Sequence, residues 1–449
     1  MGETPGGSVS TREWVADRIR TARRAISLLS ASVPNRSSVG LSRLILGAGV
    51  PASVCTISTI GRQKKGIEMR SVLFTGIVLA LGGNAWGQFQ YTVTDLGTLP
   101  GGLSSDATGI NSTGQVVGYS TGSNGQPQAF LYSGGSMQGL GTFSPSQSCS
   151  VATGINSAGQ IVGYTQSSYG AGYGAGPSYG FIYSGGTVTQ IPSLGGVAYT
   201  FGNAINNAGQ VAGLSLVSNS DVTDAYLYSG GTTTDLGNLS GGPGGYSDGY
   251  GINDHTQIVG NSTVPNSNGR ERAFLWQNGT MSDLGDLYGG SANAWAYSIN
   301  NLGQAVGDSW QVAPSSAHAF LWQSGTMTDL GTLPGGTFSQ ALNINNTGMI
   351  VGDAYTSSGA QHAFLYSDGS MQDLNNLIPS TSDWILEQAN AINDNGQIVG
   401  YGVNPSGQTD AFLLTPTPEP CTLALLCVGA GVMVGWTWRQ GRRNSDQLT

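Results

Sequence analysis

From residue 95 to residue 414 short apolar runs alternate with Gly, Asn and Ser at a regular beat. The landmark is Ile-Asn, with isoleucines at Ile110, Ile155, Ile205, Ile252, Ile299, Ile344 and Ile392, spaced 45, 50, 47, 47, 45 and 48 residues apart. Periods of about 40–50 residues belong to repeat architectures, four-stranded propeller blades among them. Each unit reads as four strands. The first ends at Ile-Asn, as in 341–345, and the second is Gln-hydrophobic-Val-Gly, as in 397–400. The third is Ala-Phe-Leu-aromatic, as in 319–322, and the fourth Thr-Met-x-Asp-Leu-Gly, as in 326–331. β-branched and aromatic residues dominate these runs, and turn formers punctuate them.

The turns predict antiparallel neighbours. Asn345-Asn346-Thr347-Gly348 places Gly at the fourth position of a type I turn, where positive φ is needed. Thr256 replaces that Gly in the fourth unit, where a different turn is expected. Asn278-Gly279 and Asp368-Gly369 are the dipeptides of two-residue hairpins. Six fourth strands follow a third strand, at 137–140, 188–191, 233–236, 281–284, 327–330 and 371–374. The seventh third strand, 411–414, has no successor, and an unmatched strand stands at 91–99. The expectation is an all-β, seven-bladed β-propeller whose N-terminal strand completes the last blade, leaving only short protected edges. A parallel β-helix with two coils per repeat is the alternative, which the tight hairpins disfavour.

Composition divides the rest. Residues 1–68 lack the repeat and, counting Arg70, carry eleven of the sixteen Lys and Arg; they read as a non-native or disordered leader. Residues 69–87 have the layout of a signal peptide: Arg70, an apolar core at 72–81, and a small-x-small site at Ala85-Trp86-Gly87 before Gln88. The repeat domain spans 88–414, a Pro-rich linker 415–420, and a tail 421–449. Within the tail, 421–438 is an apolar span at the short limit for a membrane helix, followed by Arg439, Arg442 and Arg443. Basic residues stay cytoplasmic, so the chain is expected to be exported, with the propeller outside and anchored, transiently or permanently, by 421–438.

The segment 88–415 carries nineteen Asp and Glu against Arg270 and Arg272, a balance of −17. Such a charge repels nucleic acid and anionic surfaces. A solvated acidic surface explains it; calcium held by clustered Asp is the alternative, without an EF-hand loop or nonapeptide repeat to carry it. No cofactor is expected. Cys149 is the lone cysteine of the repeat domain, so no disulfide can form within it.

The tail resembles a PEP-CTERM sorting signal: Pro418-Glu419-Pro420, an apolar span, then the Arg cluster, with Cys421-Thr422 where many members have Ser-Thr. The resemblance implies a Gram-negative-type bacterium, an exosortase-type processing enzyme as partner, and removal or exchange of the tail at the cell surface. Residues 95–414 resemble the HAF family of extracellular repeats, whose motif stands as His318-Ala319-Phe320 and His362-Ala363-Phe364; elsewhere Gln128, Arg272 and Asp410 take the first place. That resemblance implies export but no activity.

Chemistry is sought where loops vary on a rigid frame. Antiparallel order puts the variable stretches 165–178, 215–223 and 379–383 on the face opposite the first-to-second-strand turns. Candidate ligand residues there are Tyr246, Asp248, Tyr250, Arg270, Arg272, Trp295, Asp308, Trp310 and Asp353, with Glu271 between the two arginines. Aromatics beside Asp and Asn can stack on and hydrogen-bond sugars, although Trp295 can equally fill space between blades and Arg270 and Arg272 read as a solvated pair. No nucleophile elbow, zinc-binding His pair or phosphate loop is present. His318 and His362 occupy equivalent positions, as do Asp235, Asp283, Asp329 and Asp373, which marks fold residues. The chain is therefore read as a non-catalytic binding or structural module, with extracellular polysaccharide as the candidate partner. The alternative is a polysaccharide hydrolase or lyase, which requires an asymmetric group of carboxylates converging in the ring mouth.

Overall fold

The computed structural model describes residues 91–143, 146–167, 176–217, 222–242, 244–265, 269–311 and 316–417. Seven antiparallel sheets of four strands each form the blades of a propeller. The first strands are Gly102–Ile110, Cys149–Ile155, Thr200–Ile205, Ser247–Ile252, Asn293–Ile299, Ser339–Ile344 and Ile385–Ile392. Six blades run in chain order from first to fourth strand. In blade seven the outer place is taken by Tyr91–Gly97, which pairs with Thr409–Pro416 in the register Tyr91↔Pro416 and Val93↔Leu414. The expected closure by the N-terminal strand is thus observed. The leader, the signal-peptide segment 69–87 and the sorting tail with Pro418-Glu419-Pro420 lie outside the described residues. Among the described residues no helix is long and apolar enough to cross a membrane.

Second and third strands are buried on both faces because each blade is covered by two neighbours. That is why Val-Val, Ile-Val and Ala-Phe occur as adjacent apolar pairs rather than alternating with polar residues: Val116, Val117, Ala319 and Phe320 are all inaccessible. The Gly that follows Val is fixed by close approach. A Cβ on Gly307 would stand 1.8 Å from the carbonyl oxygen of Trp295, and one on Gly352 would stand 1.9 Å from that of Gln340. Every first strand bulges just before its Ile, between Ala296 and Ser298 in blade five and at the equivalent place elsewhere.

Neighbouring blades are also tied by recurrent polar contacts. Ser339 Oγ donates to Gly331 O at 2.6 Å and accepts from Ala319 N at 2.8 Å; Ser105 does the same across the closure, to Gly97 O and from Ala411 N. The repeated Asp caps the strand-four turn, Asp329 Oδ1 accepting from Gly331 N at 2.7 Å. Its second oxygen meets His318 Nδ1 at 2.9 Å, and Asp373 meets His362 at 2.7 Å, so these pairs serve the fold.

One turn differs from expectation. Thr256 forms the same turn as its glycine counterparts, donating its N–H to Asn253 O at 3.1 Å with φ at +59°. Its hydroxyl donates to Gln210 Oε1 of the preceding blade at 2.8 Å, a compensation that no glycine supplies.

Candidate functional site

The two ends of the central channel differ. At the end formed by the first-to-second-strand turns, the Asn of every Ile-Asn reaches its neighbour. The Nδ2 of Asn111, Asn156, Asn206, Asn253, Asn300 and Asn345 each donates to the main-chain oxygen of the next Asn at 2.9–3.1 Å, and Asn393 returns to Asn111. Each Oδ1 accepts two N–H groups of its own turn, as Asn253 does from His255 and Gln257. These turns line a mouth of about 200 Å³. Its rim repeats the bracing: Asn346 N–H and Nδ2 both donate to Asp394, and Asn207 does the same to Asp254. Burial acts to raise the Asp254 carboxyl, but donors from Asn207 and Asn301 outweigh it and hold it below the usual range. With its amides satisfied, this end is a brace.

The opposite end is asymmetric. The residue after Val-Gly on each second strand pairs across to a first-strand residue. In blades one to seven the pairs are Asp106 with Tyr119, Val151 with Tyr164, Phe201 with Leu214, Asp248 with Asn261, Trp295 with Asp308, Gln340 with Asp353, and Gln388 with Tyr401. Blades two and three thus present an apolar sector, where the Tyr164 and Phe201 rings lie 4.6 Å apart. Blades four to seven and one carry carboxyls and amides. Asn390 Nδ2 donates to Asp106 Oδ1 at 2.7 Å, Gln388 Nε2 to Asn390 Oδ1 at 2.7 Å, and Gln361 Nε2 to Asp353 Oδ2 at 3.0 Å. Gln340 Nε2 reaches the Tyr297 hydroxyl at 2.8 Å and Asp308 Oδ1 at 3.3 Å.

Burial is the main force on these acids. Loss of solvation pushes Asp106, Asp248 and Asp308 up to about 6 and Asp353 up to about 7, against hydrogen bonds that pull the other way. Glu271 adds a repulsive contribution at Asp248, and Asp308 one at Asp353.

Blades four and five bring most sequence candidates together around Glu271. One of its oxygens accepts from the Tyr246 hydroxyl; the other accepts from Trp295 Nε1 and from Asn261 Nδ2, the latter at 2.9 Å. The Trp295 ring meets Trp310 edge-on at 6.1 Å between centroids, and Trp310 is 40% exposed. Tyr250 lies against Tyr297 at 5.6 Å. Asp248, Asp308 and Asp353 occupy the layer described above. The arginines are not the solvated pair expected. Arg272 is drawn into a buried ion pair with Asp286, Nη1 to Oδ2 3.0 Å, and Arg270 donates to Gly290 O at 2.7 Å. Asn261, Gln340 and Gln388 were missed by sequence reasoning; aligning the position after Val-Gly and its partner across seven units would have exposed them. Among the described residues no three His, Cys, Asp or Glu side chains are grouped to hold a metal ion.

Residues 282–412 match the family described as Protein of unknown function (DUF3466). That is well under half of the chain. No curated protein matches it. Among solved structures the chain is similar to Pyrococcus horikoshii acylaminoacyl peptidase, with 12% identity over 65% of this chain and 49% of that one and a TM-score of 0.41. It is similar to the β-propeller domain of the Trilobed protease from Pyrococcus furiosus, with 8% identity over 70% and 94% and a TM-score of 0.43. It is also similar to TolB from Acinetobacter baumannii, with 13% identity over 57% and 63% and a TM-score of 0.34. The chain spans about half the length of the peptidase. At such identities the likeness says nothing about what the chain acts on.

Proposed function

We propose that this chain is an exported propeller, delivered to the cell surface through its PEP-CTERM-like tail, that binds carbohydrate of the extracellular matrix without transforming it. HAF-like repeats supply the frame, and an exosortase-type enzyme is the processing partner. The observation that supports ligand binding is the departure from sevenfold repetition. A frame held together by equivalent residues in every blade carries, on blades four to six, Trp295, Trp310, Glu271, Asn261, Asp308 and Asp353 in adjoining positions. Fold residues repeat; ligand residues need not. An exposed indole beside oriented carboxyl and amide groups suits a sugar, whose C–H face stacks and whose hydroxyls hydrogen-bond.

The test is a glycan array probed with the purified full chain, with and without calcium. Saturable binding to a few glycans, lost in Trp310→Ala, supports the reading. Absence of binding under both conditions would replace it with a purely structural coat role. A second reading, glycan hydrolysis or lysis, draws on one observation: Asp248, raised to about 6 chiefly by burial, stands near enough to Glu271 to be repelled by it, and two neighbouring carboxyls are the groups that acid–base cleavage of a glycan uses. Release of new sugar ends from bound glycans would favour it.

A further inference from the structure

Resting on the carbohydrate reading, we infer that the site over blades four to six selects a glycan bearing free amino groups, and rejects acidic ones. The first ground is a surplus of acceptors. Asn261 and Asp353 are 2% and 3% exposed, and the Oδ1 of each is buried with no hydrogen-bond partner. Both residues are otherwise engaged at this site, Asn261 Nδ2 donating to Glu271 and Asp353 Oδ2 accepting from Gln361. Buried acceptors are costly to leave bare, and a ligand that completes them must bring N–H or O–H donors.

The second ground is charge. Asp248, Glu271, Asp308 and Asp353 share this sector, and the described residues hold only two Lys or Arg side chains to offset them. Arg272 is committed to Asp286, and Arg270 donates to the Gly290 carbonyl. A uronate would meet carboxyl groups with no cation paired to them, whereas an ammonium, which favours their ionised form, supplies both the missing charge and the missing donors. The third ground is Trp310, whose exposed ring offers a sugar C–H face a stacking surface and an ammonium the negative face of an indole.

The experiment is titration of the full chain, read by tryptophan fluorescence, with glucosamine oligomers, N-acetylglucosamine oligomers of equal length, galacturonate oligomers and spermidine. The glucosamine oligomer is expected to bind at least about tenfold more tightly than the other three. Asp353→Asn and, independently, Glu271→Gln should each reduce that preference, while Asp368→Asn, on an outer hairpin, should not. Equal or tighter binding of the acetylated or acidic oligomers would overturn the amine inference and leave the carbohydrate reading standing. Equal binding of spermidine would overturn the assignment to a sugar. Binding of no oligomer at all would overturn both.

Discussion

Asn393 donates its Nδ2 to the main-chain oxygen of Asn111 at 3.0 Å, joining residues 282 positions apart and closing a circle of seven amides. The same side chain accepts from Asn395 N and Gln397 N and donates to Gln397 Oε1. Asn393→Ala therefore strands several groups in a buried turn and opens the circle at the blade that also carries the strand closure. A loss of roughly 2–4 kcal/mol is expected, since each buried group left unsatisfied costs about 1–3 kcal/mol and turn relaxation recovers part. Urea unfolding measures it. An effect below that of an exposed Asn→Ala change, such as Asn124→Ala, would show that the ring does not brace the fold.

Thr256 is the weak turn of the set. A β-branched residue at φ +59° is strained by roughly 1–2 kcal/mol. Asn tolerates that conformation, so Thr256→Asn should raise stability by about 0.5–1 kcal/mol. Thr256→Gly should gain less, because it gives up the bond to Gln210 and frees the unfolded chain. Calorimetry of the three forms orders them; a lower melting temperature for Thr256→Asn would mean that the Gln210 contact outweighs the strain.

The buried acids make stability depend on pH with a definite sign. Asp106, Asp248, Asp308 and Asp353 bind protons more tightly folded, at about 6 to about 7, than unfolded, near 4. The folded state therefore holds more protons between about pH 4 and pH 7, and stability falls as pH rises through that window. For Asp353, raised from near 4 to about 7, the full effect is roughly 4 kcal/mol at most. Asp254 acts oppositely, its contribution being lost as pH falls below about 4. Melting temperatures from pH 4.5 to 8 should decline in the native chain and decline less steeply in Asp353→Asn, where Asp106, Asp248 and Asp308 still act. A rise across that range would contradict the burial of these groups.

The fold was legible because it is written seven times. Period, hairpin dipeptides and the unmatched strand at Tyr91–Gly97 sufficed for blade count and closure. The Ile-Asn landmark was visible as a turn, but its bond to the next blade was not, since a side chain's partner 45 to 50 residues away leaves no local mark. The candidate site was half legible. Trp295, Trp310, Asp308 and Asp353 were picked out as aromatic and acidic residues on the variable-loop face. Arg272 misled, because the partner that neutralises it, Asp286, lies in the connection between blades. Glu271 was a candidate on that face, but nothing in the sequence marked it as the place where Tyr246, Asn261 and Trp295 meet.

Glu271 also separates the two functional readings. Glu271→Gln keeps the shape and leaves one oxygen to accept, but removes the charge and introduces an NH₂ that faces donors. In a binding module this should weaken the preferred glycan by about tenfold, the loss of one charge-assisted interaction worth about 1.5–3 kcal/mol less partial compensation by the remaining oxygen. In a hydrolase or lyase relying on this carboxylate, binding should persist while turnover falls by about 10²–10⁴, the usual worth of a general acid or base. Isothermal titration alongside a reducing-end assay reads both quantities from one preparation. Weakened binding with no turnover in either form sustains the binding reading; retained binding with turnover lost only in the variant transfers the site to catalysis.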